Sequence, residues 1–176
     1  MKYKSYYQTK ENYSDIVMFS DGKYLTGLYF VGSKMGNNLE KEFEEKDLAI
    51  FEETKRWLDM YFEGEIPNFN INYKIGDITL FRKEVLERLL SIPYGETVSY
   101  GKIAKEIALK RGIKRMSAQA VGGAVGCNPI SIIIPCHRVI GSDGSIIGYG
   151  GGIVNKIELL KLEKVIVDNS SSIVKY

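Results

Sequence analysis

The stretch Asn128-Pro129-Ile130-Ser131-Ile132-Ile133-Ile134-Pro135-Cys136-His137-Arg138-Val139-Ile140-Gly141 decides how this chain of 176 residues is read. An apolar run meets a proline, and a thiol, an imidazole and a guanidinium follow at once. A free thiol has a pKa of about 8.5 and is only slightly ionised at neutral pH. A neighbouring base that takes the proton, or a cation that favours the anion, turns it into a nucleophile. His137 is the only histidine, so any cysteine–imidazole chemistry must use it. Neighbours on an extended segment point to opposite sides, so the pattern predicts a bend at Pro135 or a bridging water rather than direct contact. His137 also needs an orienting carboxylate, and Glu158 and Glu163 on a helix predicted over 156–163 are the two candidates. Cys127, after Gly126, reads as a small buried hydrophobe. A zinc site from Cys127, Cys136 and His137 would lack a fourth ligand and the usual Cys-x-x-Cys spacing, so no metal or other cofactor is expected.

Downstream, the glycine-rich run 141–152 has neither the Gly-x-x-x-x-Gly-Lys-[Ser/Thr] nor the Gly-x-Gly-x-x-Gly pattern of a phosphate loop. It reads as a loop that closes a ligand onto the cysteine. Upstream, Phe81, Val85, Leu86, Leu89 and Leu90 form a helical stripe over 79–90. Ser99 caps a helix with an inward face of Tyr100, Ile103, Ala104, Ile107 and Ala108. After a basic connection, Ser117 caps a third helix over 118–125 made of small residues. Glycine inside a helix costs about 1 kcal/mol relative to alanine, so Gly122 and Gly123 point to close approach of a neighbour or ligand. Two short helices with a basic link resemble a helix-turn-helix, although the link is longer than the usual three to four residues.

Further out, residues 1–77 hold ten Lys/Arg against fourteen Asp/Glu, whereas 78–176 hold fourteen against eight, a contrast hidden in the net charge of +2. The basic half is the candidate for a polyanionic partner. In the acidic half, Asp15–Ser20 and Lys23–Val31 flank Asp21-Gly22 and predict a type I′ hairpin. A helix is expected over 40–62, ended by Gly64, with a strand over 69–75. The chain is expected to comprise two domains, 1–77 as scaffold and 78–176 as the functional part. No apolar run nears the 18 to 20 or so residues of a membrane helix. The start of the chain lacks the apolar core of a signal peptide, and two cysteines suggest no disulfide framework. A reducing cytosol is the expectation.

Pro135-Cys136-His137-Arg138-Val139-Ile140, together with Asn128-Pro129, Ala120-Val121-Gly122-Gly123-Ala124, Gly148-Tyr149 and Leu159-Leu160…Glu163, resembles the O6-alkylguanine-DNA alkyltransferases, the methylated-DNA–protein-cysteine methyltransferases. The resemblance runs from about Phe81 to Glu163. It implies an α+β fold: an N-terminal α/β domain with a ribonuclease H-like sheet, then a helical, winged helix-turn-helix-like domain. It implies stoichiometric DNA repair, in which O6-alkylguanine is flipped from duplex DNA and its alkyl group passes irreversibly to Cys136. Flipping exposes an atom that is otherwise inside the stack. In that family His137 would act through a water on Cys136, Glu163 would orient His137, and Asn128 would hold the turn. Tyr100 would rotate the phosphate, while Val139, Tyr149 and Gly150 would line the base pocket. Ser117, Gln119, Ala120, Gly122, Gly123, Arg115 and Arg138 would meet DNA. A cofactor-free monomer on double-stranded DNA, cytoplasmic and associated with the nucleoid or nucleus, is implied.

Departures are visible. Gln119 occupies the position where many members carry the arginine that fills the gap left by the base. Gly150 stands where a serine is frequent, and the Tyr100–Gln119 segment is longer than in the family. Two other readings are a module that binds alkylated DNA without repairing it, whose relatives replace the cysteine, and a cysteine hydrolase, which would turn over.

Overall fold

The computed structural model describes residues 2–168 and 172–173, and the chain divides into two compact units. The first comprises Met1–Asp77 and Pro129–Ser131; the second comprises Ile78–Asn128 and Ile132–Tyr176.

The first unit is a four-stranded sheet flanked by two helices. Strands β1 (Tyr3–Tyr7), β2 (Ile16–Ser20), β3 (Leu25–Phe30) and β4 (Glu44–Glu45) lie in the order β3-β2-β1-β4. The first three are antiparallel to their neighbours and β4 runs parallel to β1. Every residue of β2 is buried, as its uninterrupted Ile-Val-Met-Phe requires: no polar residue alternates to a wet face. Val17 and Phe19 pack on one face with Tyr29, Leu39 and Phe43. The segment 129–131 joins this unit through β3, with Leu28 N–H donating to Pro129 O at 2.9 Å and Ser131 N–H donating to Leu28 O at 2.9 Å.

Several expectations change here. Of the helix expected over 40–62 only the later part forms, as α2 (Ala49–Phe62), and a separate short helix, α1 (Lys34–Glu40), lies ahead of it. Between them the chain pairs with β1, Glu44 N–H bonding Lys2 O and Lys46 N–H bonding Lys4 O at 3.1 Å each. Satisfying that sheet edge outweighs the helix preference of a Glu/Lys-rich run. The expected hairpin has a four-residue loop, since Ser20 pairs with Leu25. Only Gly22 has positive φ there, whereas a type I′ turn needs two. The Asp21 carboxylate holds the loop by accepting from Lys23 N–H and Tyr24 N–H at 3.0 and 2.9 Å. The strand expected over 69–75 reduces to a single bridge, Leu25 to Tyr73.

The second unit is helical. It holds α3 (Leu80–Leu90), α4 (Tyr100–Lys110), α5 (Ala118–Gly126) and α6 (Ile153–Leu162), with β5 (Val98–Ser99) parallel to β6 (Val139–Ile140). Each of the first three helices begins at a hydroxyl cap. Thr79 accepts from Arg82 N–H, Ser99 from Lys102 N–H, and Ser117 from Gln119 N–H and Ala120 N–H. Such a cap stabilises a helix by about 1 kcal/mol. Val85, Leu86 and Leu89 of α3 are buried with Ile103, Ala104, Ile107 and Ala108 of α4 and Val121, Ala124 and Val125 of α5. Leu90, expected on the buried stripe, is 47% exposed. The helix expected over 156–163 starts earlier, so Glu163 becomes the cap residue at its C-terminus.

Candidate active site

The extended approach to Cys136 that the apolar run predicts is a series of turns. Ile132 is buried at φ 68°, a left-handed conformation that a β-branched residue adopts only when its surroundings enforce it. Past Pro135, Cys136–Arg138 form one turn of 3-10 helix. The side chain of Asn128 organises this path. Its Nδ2 donates to Ile134 O at 2.8 Å and to Cys136 Sγ at 3.0 Å, so one amide holds both the turn and the sulfur.

His137 has no exposed surface, and its Nε2 lies 2.7 Å from Glu163 Oε1. Glu158, the other candidate partner, bonds Lys161 at 2.8 Å instead. Arg138 forks onto the same carboxylate, with Nε donating to Oε2 at 2.8 Å and Nη2 to Oε1 at 2.9 Å, while Nη1 donates to Ile92 O at 2.6 Å. A fourth donor, Gly95 N–H, reaches Oε2 at 3.1 Å. Gly95 has φ +77°, and a Cβ there would stand 2.9 Å from Glu163 O, so this approach requires glycine. Tyr94 beneath the guanidinium donates its hydroxyl to Leu162 O at 3.2 Å. Arg138, expected to meet DNA, is therefore an internal clamp: a carboxylate taken out of water needs a bidentate partner.

Burial pushes the Cys136 thiol up, against the opposing pull of the Asn128 amide, Lys156 and the Tyr149 hydroxyl. The resting sulfur is a protonated thiol. Burial also lowers His137, which is neutral despite the carboxylate beside it. Although burial alone would raise Glu163, His137 and Arg138 hold its carboxyl well below the usual range.

Lys156 is the residue that sequence reasoning missed. It is fully buried, and Nζ donates to Val139 O at 2.6 Å, Ile147 O at 2.9 Å and Gly148 O at 3.3 Å. Burial brings its pKa down to about 8. The ammonium also lies 5.7 Å from the centroid of the Tyr100 ring. It thus ties β6, which follows the cysteine turn, to the 147–148 backbone that leads into Tyr149. A signal was available: 156, 159, 160 and 163 share one helical face, so a lysine and a glutamate occupy the stripe of Leu159 and Leu160.

Tyr100 begins α4 with its hydroxyl 3.4 Å from Ile147 O and from Gly148 O. Burial, then the nearby thiol, pushes its pKa up to about 12. A Cβ on Gly122 would lie 3.8 Å from that ring, whereas one on Gly123 meets nothing. Gln119, Ala120, Gly123, Ser117 and Arg115 are exposed on and before α5. Gly150 is exposed, and a Cβ there would lie 3.7 Å from Gly126 O, leaving room for a side chain.

The profile of a family described as "6-O-methylguanine DNA methyltransferase, DNA binding domain" matches residues 80–165, and its "ribonuclease-like domain" companion matches residues 2–75. A methylated-DNA–protein-cysteine methyltransferase of Mycobacterium leprae is 49% identical over 116 residues, 66% of this chain and 67% of that protein. One of Haemophilus influenzae is 38% identical over 151 residues, 85% of this chain and 80% of that protein. Among solved structures, "Mycobacterium tuberculosis OGT in complex with DNA" superposes with a TM-score of 0.78 at 37% identity, covering 92% of each chain.

Proposed function

This chain belongs to the 6-O-methylguanine DNA methyltransferase family, and from that premise we propose that it repairs duplex DNA by taking an alkyl group from O6 of guanine onto Cys136, once and irreversibly. The observation that carries the reading is the single 3-10 turn on which Cys136, bonded by Asn128, precedes a His137 held by Glu163. A damage-binding module would need neither the thiol nor the histidine.

The chemistry follows from the arrangement. With Nε2 engaged by Glu163, proton exchange falls to His137 Nδ1, through a bridging water. The thiol proton leaves sulfur, and the thiolate attacks the alkyl carbon. A C–S bond forms as the C–O6 bond breaks, and its electron pair stays with the base, which takes up a proton and becomes guanine. Nothing in this sequence regenerates the thiol, so each molecule acts once.

Residues 78–176 carry the chemistry and 1–77 serve as scaffold. The exposed residues Ser117, Gln119, Ala120 and Gly123, with Arg115 before them, form the DNA face, and Tyr100 lies beneath Gly122 at a distance that would also admit a Cβ. Val139, Tyr149 and Gly150 line the base pocket. The protein acts as a monomer in the cytoplasm, on the nucleoid or nuclear DNA; among the described residues no helix is long and apolar enough to cross a membrane.

The test is to incubate the protein with an oligonucleotide duplex containing O6-methylguanine, digest it and weigh the Cys136 peptide. One methyl per protein is expected, with the reaction stopping after one equivalent. An unmodified Cys136 beside DNA that stays alkylated refutes the proposal, and continued turnover in excess substrate would favour a hydrolase. Folded Cys136→Ala should lose transfer and keep duplex binding.

A further inference from the structure

The Glu163 carboxylate accepts three hydrogen bonds from groups that can only donate, Arg138 Nη2 on Oε1 and Arg138 Nε and Gly95 N–H on Oε2, and its Oε1 lies 2.7 Å from His137 Nε2. Held by a bidentate guanidinium and a backbone amide, the carboxyl stays ionised, and an ionised carboxylate can only accept. His137 Nε2 must therefore carry hydrogen, which leaves the lone pair of the neutral ring on Nδ1. From this we propose that Arg138 is a positioning residue that keeps His137 a neutral base, by cancelling the charge of Glu163 inside the protein.

The balance of charge in this buried cluster sets the state of the ring. Arg138, Glu163 and neutral His137 sum to zero, and Glu163 and His137 are both buried. A further proton would leave a net positive charge out of water, which is costly. Without the guanidinium, Glu163 and neutral His137 carry one uncompensated negative charge, and a proton entering the pair removes it. The pair then behaves as one titrating unit of higher apparent pKa. The base is spent before any thiol offers its proton.

The other groups around the ring act in the same direction or not at all. Lys156, from two turns earlier on α6, is cationic and also disfavours a protonated imidazole. Cys136 is a neutral thiol. From the 92–95 loop come the Ile92 carbonyl, the Gly95 amide and the Tyr94 phenol, whose own pKa is raised by burial and then by Glu163. Arg138 supplies a full charge in direct contact with the His137 partner.

This role rests on His137 being the base, and the experiment separates the two claims. Because His137 is the only histidine, the imidazole nitrogens can be read without ambiguity by 15N NMR in the full-length protein, with no DNA present. We expect the neutral Nε2–H tautomer at neutral pH, with titration displaced below that of a free imidazole. In Arg138→Gln, which keeps an amide donor but no charge, His137 should titrate with a midpoint one to three pH units higher, roughly the effect of removing a close charge. The acid limb of the transfer rate should move up with it, and Arg138→Lys should keep both near the wild-type position. A wild-type His137 that is imidazolium at neutral pH, or that carries its proton on Nδ1, overturns the proposal. So does an Arg138→Gln protein whose ring signals do not move, which would make Arg138 a structural tie. If Arg138→Gln does not fold, Arg138→Lys decides, since titration of His137 near neutrality in that variant also overturns it. A failure of Cys136 to accept an alkyl group would instead strike the proposed function, and the ring signals would still report on Arg138.

Discussion

Replacing Lys156 by methionine removes a buried cation and keeps most of its volume. The amine gives hydrogen bonds to three carbonyls, but the residues of two of them, Ile147 and Gly148, are exposed and can turn to water. Only Val139 O is left buried without this donor, a loss of about 1–3 kcal/mol. Against this stands the cost of burying the ammonium. A pKa lowered from 10.5 to about 8 corresponds to about 3 kcal/mol of destabilisation at neutral pH, at 1.36 kcal/mol per unit. The two terms nearly cancel, so Lys156→Met should fold with a stability within about 2 kcal/mol of the wild type. Their pH dependence does not cancel. Below pH 8 both the folded and the unfolded chain hold the Lys156 proton and the full penalty is present. Between about pH 8 and 10.5 the unfolded chain keeps the proton and the folded one has lost it, so stability rises with pH. Denaturant unfolding of both proteins at pH 7, 8, 9 and 10 measures this. The wild type should gain about 2–3 kcal/mol on the variant over that range. A flat difference, or a wild type that loses ground, would refute the assignment of Lys156 as a buried, charge-penalised amine. Transfer should fall in the variant about 10- to 100-fold, because β6 is no longer tied to the backbone that carries Tyr149.

Asn128→Ala strips one amide from both the Ile134 carbonyl and Cys136 Sγ, and should cost about 1–3 kcal/mol of stability. It should also raise the thiol pKa further, seen as a displacement to higher pH of the rate at which an alkylating reagent modifies Cys136. Gln119 is exposed on α5, and Gln119→Arg should speed transfer from duplex DNA while leaving transfer from the free base unchanged; equal effects on both would show that the residue does not act at the gap left by the flipped base.

Local patterns predicted the elements wherever local forces decide them. Ser99 and Ser117 were readable as starts because a hydroxyl cap is a contact within one turn. By contrast, β1 was overlooked although Tyr3 and Ser5 are buried and Tyr6 is exposed, because one lysine, one serine and three tyrosines carry little apolar contrast. The run after residue 40 read as helix because glutamate and lysine favour one. What makes it a strand is a sheet edge about forty residues away, and no window along the chain contains that edge.

The candidate site divides the same way. Cys136 and His137 stood out because their chemistry is unusual for the end of an apolar run. Arg138 was assigned to DNA and Lys156 was passed over for the same reason, that a cation ordinarily belongs in solvent or on a polyanion. Lys156 is buried and Arg138 half-buried, each against acceptors that lie far along the chain: Glu163 and Ile92 for Arg138, Val139 for Lys156. A lysine and a glutamate on the stripe of Leu159 and Leu160 could still have been noticed. That helix would bury them only if donors and acceptors elsewhere satisfied both, since a buried charge left unpaired costs several kcal/mol. A charged residue at an apolar position of a helix is therefore a statement about a partner not yet located. For α6 the partners are the cysteine turn and the strand that follows it, which places the helix's charged face on the reacting centre.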